Sequence, residues 1–128
     1  MFHGTRIKAA DRRRGGLRYS TQNDVRGAAL PFKPDSFSAA VAFTMLHHVP
    51  SVELQDRLFQ EVCRVLRPGG VFAGVDSTDS WLMRLHHISD TLVPIDPQAL
   101  PARLQSAGFA NVSITTDQRG FRFSAVCP

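Results

Sequence analysis

At 128 residues and 14.1 kDa the chain has room for one domain, not two. Its hydrophobic share of 43% and charged share of 20% are ordinary for a protein with a buried core, which excludes wholesale disorder. The net charge is +4, but residues 1–18 alone hold Arg6, Lys8, Arg12, Arg13, Arg14 and Arg18 against Asp11, a local +5, so the remaining 110 residues carry −1. The basic character therefore belongs to one terminal segment, and with no aromatic residues interleaved among the cations a nucleic-acid partner is not expected. No apolar run approaches the roughly 18 residues of a membrane-spanning helix. The start MFHGTRIKAADRRRGG lacks the apolar stretch of a secretory signal. Cys63 and Cys127 make neither a disulfide framework nor a CxxC metal pair. These features predict a cytoplasmic protein without a membrane partner.

Along the chain, residues 1–16 read as a basic segment, with a short helix over Ile7–Arg14 stopped by Gly15-Gly16. Such a segment is expected to be loosely held and dispensable for folding. Leu17–Thr21 alternates weakly, as a strand does. Asp24 to Phe37 is loop-like, with Gly27, Pro31, Pro34 and an Asp35-Ser36 turn. Ala39–Phe43 is a continuous apolar run, the pattern of a strand buried on both faces in a parallel sheet. Ser51 then caps a helix over 51–67, with Leu54, Leu58, Val62 and Leu66 on a core-facing stripe and Arg64 and Arg67 in its last turn. Pro68 and Gly69-Gly70 end it. Val71–Val75 repeats the buried-strand pattern, and Ser80–Ile88 has one apolar face and reads as helical.

After Asp96-Pro97 a further turn or helix places Leu100, Leu104 and Ala107 on one face, with Gly108 beyond its end. Val112, Ile114 and Thr116 alternate, as do Phe121, Phe123 and Ala125, and Asp117–Gly120 joins them as a hairpin. The order of elements predicts an α/β fold with parallel strands 39–43 and 71–75, a helical crossover between them and an antiparallel ending.

The stretch from Leu30 to Val75 sharpens this. It carries Leu30-Pro31-Phe32, then Asp35-Ser36-Phe37, then Leu46-His47-His48-Val49, then Arg64-Val65-Leu66-Arg67-Pro68-Gly69-Gly70. In that order these segments resemble the second half of the class I S-adenosylmethionine-dependent methyltransferases, in the small-molecule type-11 group. Ala107-Gly108-Phe109 and the closing hairpin are similar to that family's last two strands, so the resemblance takes in the chain beyond about residue 17. It implies a partial Rossmann-like sheet over residues 17–128, S-adenosylmethionine as cofactor, and a small-molecule methyl acceptor that the sequence does not identify. The family's cofactor site begins with a Gly-x-Gly loop, and here no two glycines are separated by one residue. The resemblance thus implies a chain truncated before that loop and starting near the third strand of the family sheet. On that basis the isolated chain is expected to be inactive and to bind the cofactor weakly. The open flank of the family's fourth strand would then be an edge for self-association.

By resemblance, the carboxylate contacting the adenine falls on Asp24 if two residues are inserted, and on the position of Arg26 if none is. Asp24 is the candidate, against its reading as a turn-forming residue. Thr44 and Met45 follow the first buried strand, at the carboxyl end where open α/β sheets bind ligands. Their backbone would border the methionine part of the cofactor. His48 is the candidate pocket wall and the one weak candidate for a catalytic base. His47-His48 and His86-His87 are not read as a metal site, because adjacent histidines rarely face one ion and no carboxylate or thiol has ligand spacing with them. Trp81, Met83, His86 and His87 fall where the family builds its acceptor pocket, or else form an ordinary apolar helix face. Cys63 reads as a small core residue. Two function classes remain: a small-molecule methyltransferase, and a catalytically inactive remnant or binding module retaining part of its fold.

Overall fold

Two apolar runs and the helix between them build the centre of the sheet. The computed structural model describes residues 7–11, 20–21, 29–43, 46–77 and 93–128. The strands are β1 (Ile7–Ala10), β2 (Ser20–Thr21), β3 (Phe37–Phe43), β4 (Leu66–Ser77), β5 (Ala110–Thr116) and β6 (Gly120–Val126), and the helices are α1 (Val52–Val65) and α2 (Leu100–Ser106). Among the described residues the six strands form one sheet in the order β2-β1-β3-β4-β6-β5. β3 and β4 are parallel and joined through α1, with Ala39 opposite Val71 and Phe43 opposite Val75. β6 runs antiparallel to both β4 and β5. The mixed α/β sheet with a parallel pair and an antiparallel ending is the one the sequence predicts.

Burial along β3 and β4 is not uniform on the two faces. In β4 the even-numbered Leu66, Gly70, Phe72, Gly74 and Asp76 are buried, whereas Val71 is 38% exposed and Ala73 and Val75 are half-buried. The reason is the layer above one face: α1 supplies Leu58, Phe59 and Val62, and α2 supplies Leu100 and Leu104, all fully buried. Phe72 is the hub, with ring centroids 6.3 Å from Phe59, 5.6 Å from Phe109 and 5.0 Å from Phe123. Truncating such a residue to alanine typically costs about 3–5 kcal/mol.

Ser51 caps α1 as expected, its hydroxyl accepting from the Leu54 N–H at 3.1 Å. The helix ends earlier than expected. Leu66 is already extended, and the chain enters β4 there, so Arg67, Pro68 and the two glycines belong to the strand rather than the helix. Leu66 is 1% exposed, and pairing opposite Phe37 draws it into the sheet. Gly69 has φ +83°, a conformation open to glycine at little cost. Gly108, at φ +109°, ends α2 in the same way. In the final hairpin the Asp117 side chain accepts from the N–H groups of Arg119 and Gly120 at 2.7 and 2.9 Å.

The N-terminal segment departs most from expectation. Ile7–Ala10 is a strand, not a helix, and it lies antiparallel beside β3, with Ile7 opposite Ala42 and Ala10 opposite Ala39. Ile7 and Ala9 are buried in the core while Lys8 between them is exposed. Asp11 is buried and forms a two-pronged ion pair with the Arg67 guanidinium, and the Ser38 hydroxyl donates to the Ala10 carbonyl at 3.1 Å. The flank of β3 is therefore paired within the chain, not an open edge for self-association, and this part of the basic segment is not loosely held. The strand expected over Leu17–Thr21 is β2 at Ser20–Thr21, its first three residues lying outside the described ones, as does the helix expected over Ser80–Ile88.

Candidate functional site

The carboxyl ends of β3 and β4 lie side by side, the place where open α/β sheets position ligands. After β3, Leu46–His48 form one turn of 3-10 helix, and β4 ends on Asp76 and Ser77. His47 and Asp76, 29 residues apart, meet there: Nδ1 of His47 is 2.6 Å from Oδ1 of Asp76. The His47 backbone N–H donates to the other carboxylate oxygen at 3.3 Å, and the Ser77 N–H donates to Oδ1 at 2.8 Å. Asp76 is 3% exposed and His47 5%. A buried carboxylate requires such donors, since an uncompensated one would cost several kcal/mol. Facing a carboxylate oxygen, Nδ1 is the ring nitrogen that donates.

The turn carrying His47 is held by a second buried polar group. Gln55, on the first turns of α1 and fully buried, donates from Nε2 to the carbonyls of Leu46, Val49 and Val93 at 3.2, 3.4 and 2.7 Å. Its Oε1 accepts from Arg103 at 2.8 Å, and Arg103 also pairs with Asp56 at 2.7 Å. The Val93 N–H donates to the His47 carbonyl at 3.0 Å. One glutamine thus ties the turn, α1, the segment at Val93 and α2 together.

His48, the sequence candidate, is half-buried beside this pair, its ring centroid 4.2 Å from that of His47. Phe43, 54% exposed, ends β3 at the same edge. Asp24, Thr44 and Met45 lie outside the described residues, as do Trp81, Met83, His86 and His87. The pairing of His47 with Asp76 was not foreseen. Its one signal in the sequence is an acidic residue closing the second apolar run.

The Leu-Pro-Phe segment serves the opposite end of the sheet. Arg64 donates to the carbonyls of Leu30 and Phe32 at 3.0 and 2.9 Å, and Glu61 accepts from the Leu30 N–H at 3.1 Å. Arg64 and Glu61 are themselves paired, and the Arg64 side chain, aided by the Leu30 N–H, holds the Glu61 carboxyl below its usual range despite partial desolvation. Helix and loop are thereby clamped just before β3. These motif residues are scaffold.

Residues 4–74 match the family described as "Methyltransferase domain". The match begins inside the basic segment, earlier than the residue 17 at which the resemblance was expected to start. Squalene methyltransferase 1 of Botryococcus braunii is 47% identical over 45 residues, which are 35% of this chain and 11% of that protein. A phosphoethanolamine N-methyltransferase 2 of Haemonchus contortus, solved with phosphomonomethylethanolamine and S-adenosylhomocysteine, superposes with a TM-score of 0.65 at 14% identity, over 86% of this chain and 37% of that one. The [4+2]-cyclase SpnF superposes with a TM-score of 0.61 at 17% identity, over 82% and 54%. This chain therefore spans about a tenth of the curated relative and between a third and a little over half of these two structures. At such identities the structural likeness shows the fold.

Proposed function

This chain belongs to the methyltransferase domain family, within the class I S-adenosylmethionine-dependent methyltransferases, and from that premise we propose that it serves methyl transfer to a small-molecule acceptor at the carboxyl edge of β3 and β4. The observation that carries the proposal is the buried His47–Asp76 pair at that edge. S-Adenosylmethionine, when bound, supplies a methyl group already activated by its sulfonium. The protein's part is then mainly alignment of the acceptor and removal of its proton. In this proposal the His47 imidazole, held by Asp76, takes the proton that an alcohol, phenol or amine acceptor gives up. Asp76 is a positioning residue that fixes the tautomer and steadies the imidazolium that forms. His48 serves as pocket wall, Asp24 as the adenine contact, and the backbone of Thr44 and Met45 as the border of the methionine part.

The described residues do not make a complete cofactor site. The Asp76 carboxylate is taken up by His47 and Ser77. β1, beside β3, brings its amino end to the site edge instead of a strand-to-helix loop, and the sequence holds no Gly-x-Gly. Those observations favour a second reading, a binding module without catalysis, and the likeness to a cyclase is consistent with one fold serving several chemistries. Each hydrogen bond missing from a buried ligand costs about 0.5–1.5 kcal/mol, so losing several weakens a micromolar site to about millimolar.

Titration calorimetry of the 128-residue chain with S-adenosylmethionine separates the readings. Millimolar binding that Asp24→Ala removes supports the methyltransferase proposal. No heat at millimolar cofactor supports the binding module. Micromolar affinity would show a complete site and overturn the expectation of weak binding.

A further inference from the structure

Cys63 and Cys127 are 64 positions apart in the chain, yet their sulfurs lie 2.7 Å from each other. Both are thiols. The gap is about 0.7 Å longer than a disulfide bond of ~2.04 Å, so closure asks for a small side-chain adjustment and no movement of elements. Each cysteine sits on a fixed support. Cys63 is on α1, half-buried and packed against the core. Cys127 follows β6, and its backbone is held at both ends: the Gly69 N–H donates to its carbonyl at 2.6 Å, and its N–H donates to the Gly70 carbonyl at 2.8 Å. Its sulfur also lies 3.2 Å from the Cys63 carbonyl. This pair stands at the amino end of β4, the opposite end from Asp76, and takes no part in the site described above.

We propose that Cys63 and Cys127 are an oxidation site, a dithiol that a peroxide-class oxidant closes into an intramolecular disulfide tying α1 to the C-terminal end of β6. In the first step one thiolate attacks a peroxide oxygen. An S–O bond forms, the O–O bond breaks, and the leaving hydroxide takes the thiol's proton as water, leaving a sulfenic acid. In the second step the other sulfur attacks the sulfenic sulfur, the S–S bond forms, and the S–O bond breaks with loss of a second water that carries the second thiol's proton. Two cysteines are oxidised by two electrons and one hydrogen peroxide is reduced to two waters. Peroxide is small enough to reach a largely covered pair. Burial, reinforced by the hydrogen bond with Cys127, pushes the Cys63 thiol up to about 12, so its thiolate is scarce at neutral pH. The pair is therefore a slow structural staple, not a fast sensor, and its closure quickens from neutral to mildly alkaline pH.

The test exposes the folded chain to hydrogen peroxide, removes the excess, denatures and alkylates the product, and maps its peptides by mass. The expected product is a monomer lighter by two hydrogens, with no alkylatable thiol and one peptide joining Cys63 to Cys127. Its Tm should rise by about 5 °C or more, since the bond closes a long loop, and fall back on reduction. Cys63→Ala and Cys127→Ala should each abolish both the joined peptide and the redox-dependent Tm shift. The map of the unsubstituted chain decides the matter even where a variant folds poorly. Two thiols still alkylatable, separate sulfinic or sulfonic acids, or disulfides only between chains would each overturn the proposal.

Discussion

Asp76 does more to define the carboxyl edge than either histidine. It accepts from the ring and backbone of His47 and from the backbone of Ser77, and both Asp76 and His47 are buried. Asp76→Asn keeps the size but removes the charge that these donors face. Hydrogen bonds to charged groups contribute about 1.5–3 kcal/mol, so urea unfolding should show a loss of roughly that size. An unchanged midpoint would mean that the pair carries no net stabilisation. Gln55→Leu tests the neighbouring support. Leucine fills the space but leaves the buried carbonyls of Leu46 and Val49 and the half-buried one of Val93 without this donor, and a loss of about 2 kcal/mol or more is expected. Neither residue stood out in the sequence. In the sequence Gln55 is a polar position beside an apolar stripe, and Asp76 reaches His47 only because the register of β3 on β4 brings positions 29 apart together. His48 was legible as part of the right turn, but the burial that separates it from His47 is a tertiary fact.

Among the elements, those with local signals were legible and β1 was not. β3, α1, β4 and the hairpin announce themselves by apolar runs, a serine cap and an aspartate turn, all within a few residues of one another. β1 is four residues long, set among arginines, and its identity depends on partners about 30 residues away in β3 and on Arg67, 56 residues from Asp11. The end of α1 was misplaced for a related reason: Leu66 continues the helical spacing, but its burial is satisfied in the sheet. Because β1 contributes Ile7 and Ala9 to the core and covers the flank of β3, deletion of residues 1–11 should cost more than about 3 kcal/mol, from one buried isoleucine and several strand hydrogen bonds. It should also uncover an edge that promotes association. Urea unfolding with sedimentation velocity checks both. Unchanged stability and a monomeric product would mean that β1 merely decorates the sheet.

At the scale of the molecule, the two ends of the sheet have different work. The amino ends of β3 and β4 carry the Arg64–Glu61 clamp, the Asp11–Arg67 pair and the two cysteines, whereas the carboxyl ends carry His47 and Asp76. The first end also predicts how stability varies with pH. Glu61 is held below its usual value by Arg64, so its contribution is fully present above about pH 4.3 and is lost as pH falls through the lowered value. Cys63 is raised, so its contribution is present below the ordinary thiol value of about 8.5 and is lost as pH rises toward about 12. Midpoints of urea unfolding should therefore decline on both sides. Glu61→Gln should flatten the acid side, and Cys63→Ala the alkaline side. An acid limb unaltered in Glu61→Gln would remove Glu61 as its cause. The direction of β1 has a practical corollary. Since Ile7 pairs with Ala42, one residue from the end of β3, β1 begins at the His47–Asp76 edge, while Val126 pairs with Val71 and the C-terminus leaves at the far end. A fluorophore or affinity handle fused before Ile7 will sit where it can sense or obstruct a ligand; the same handle after Pro128 will not.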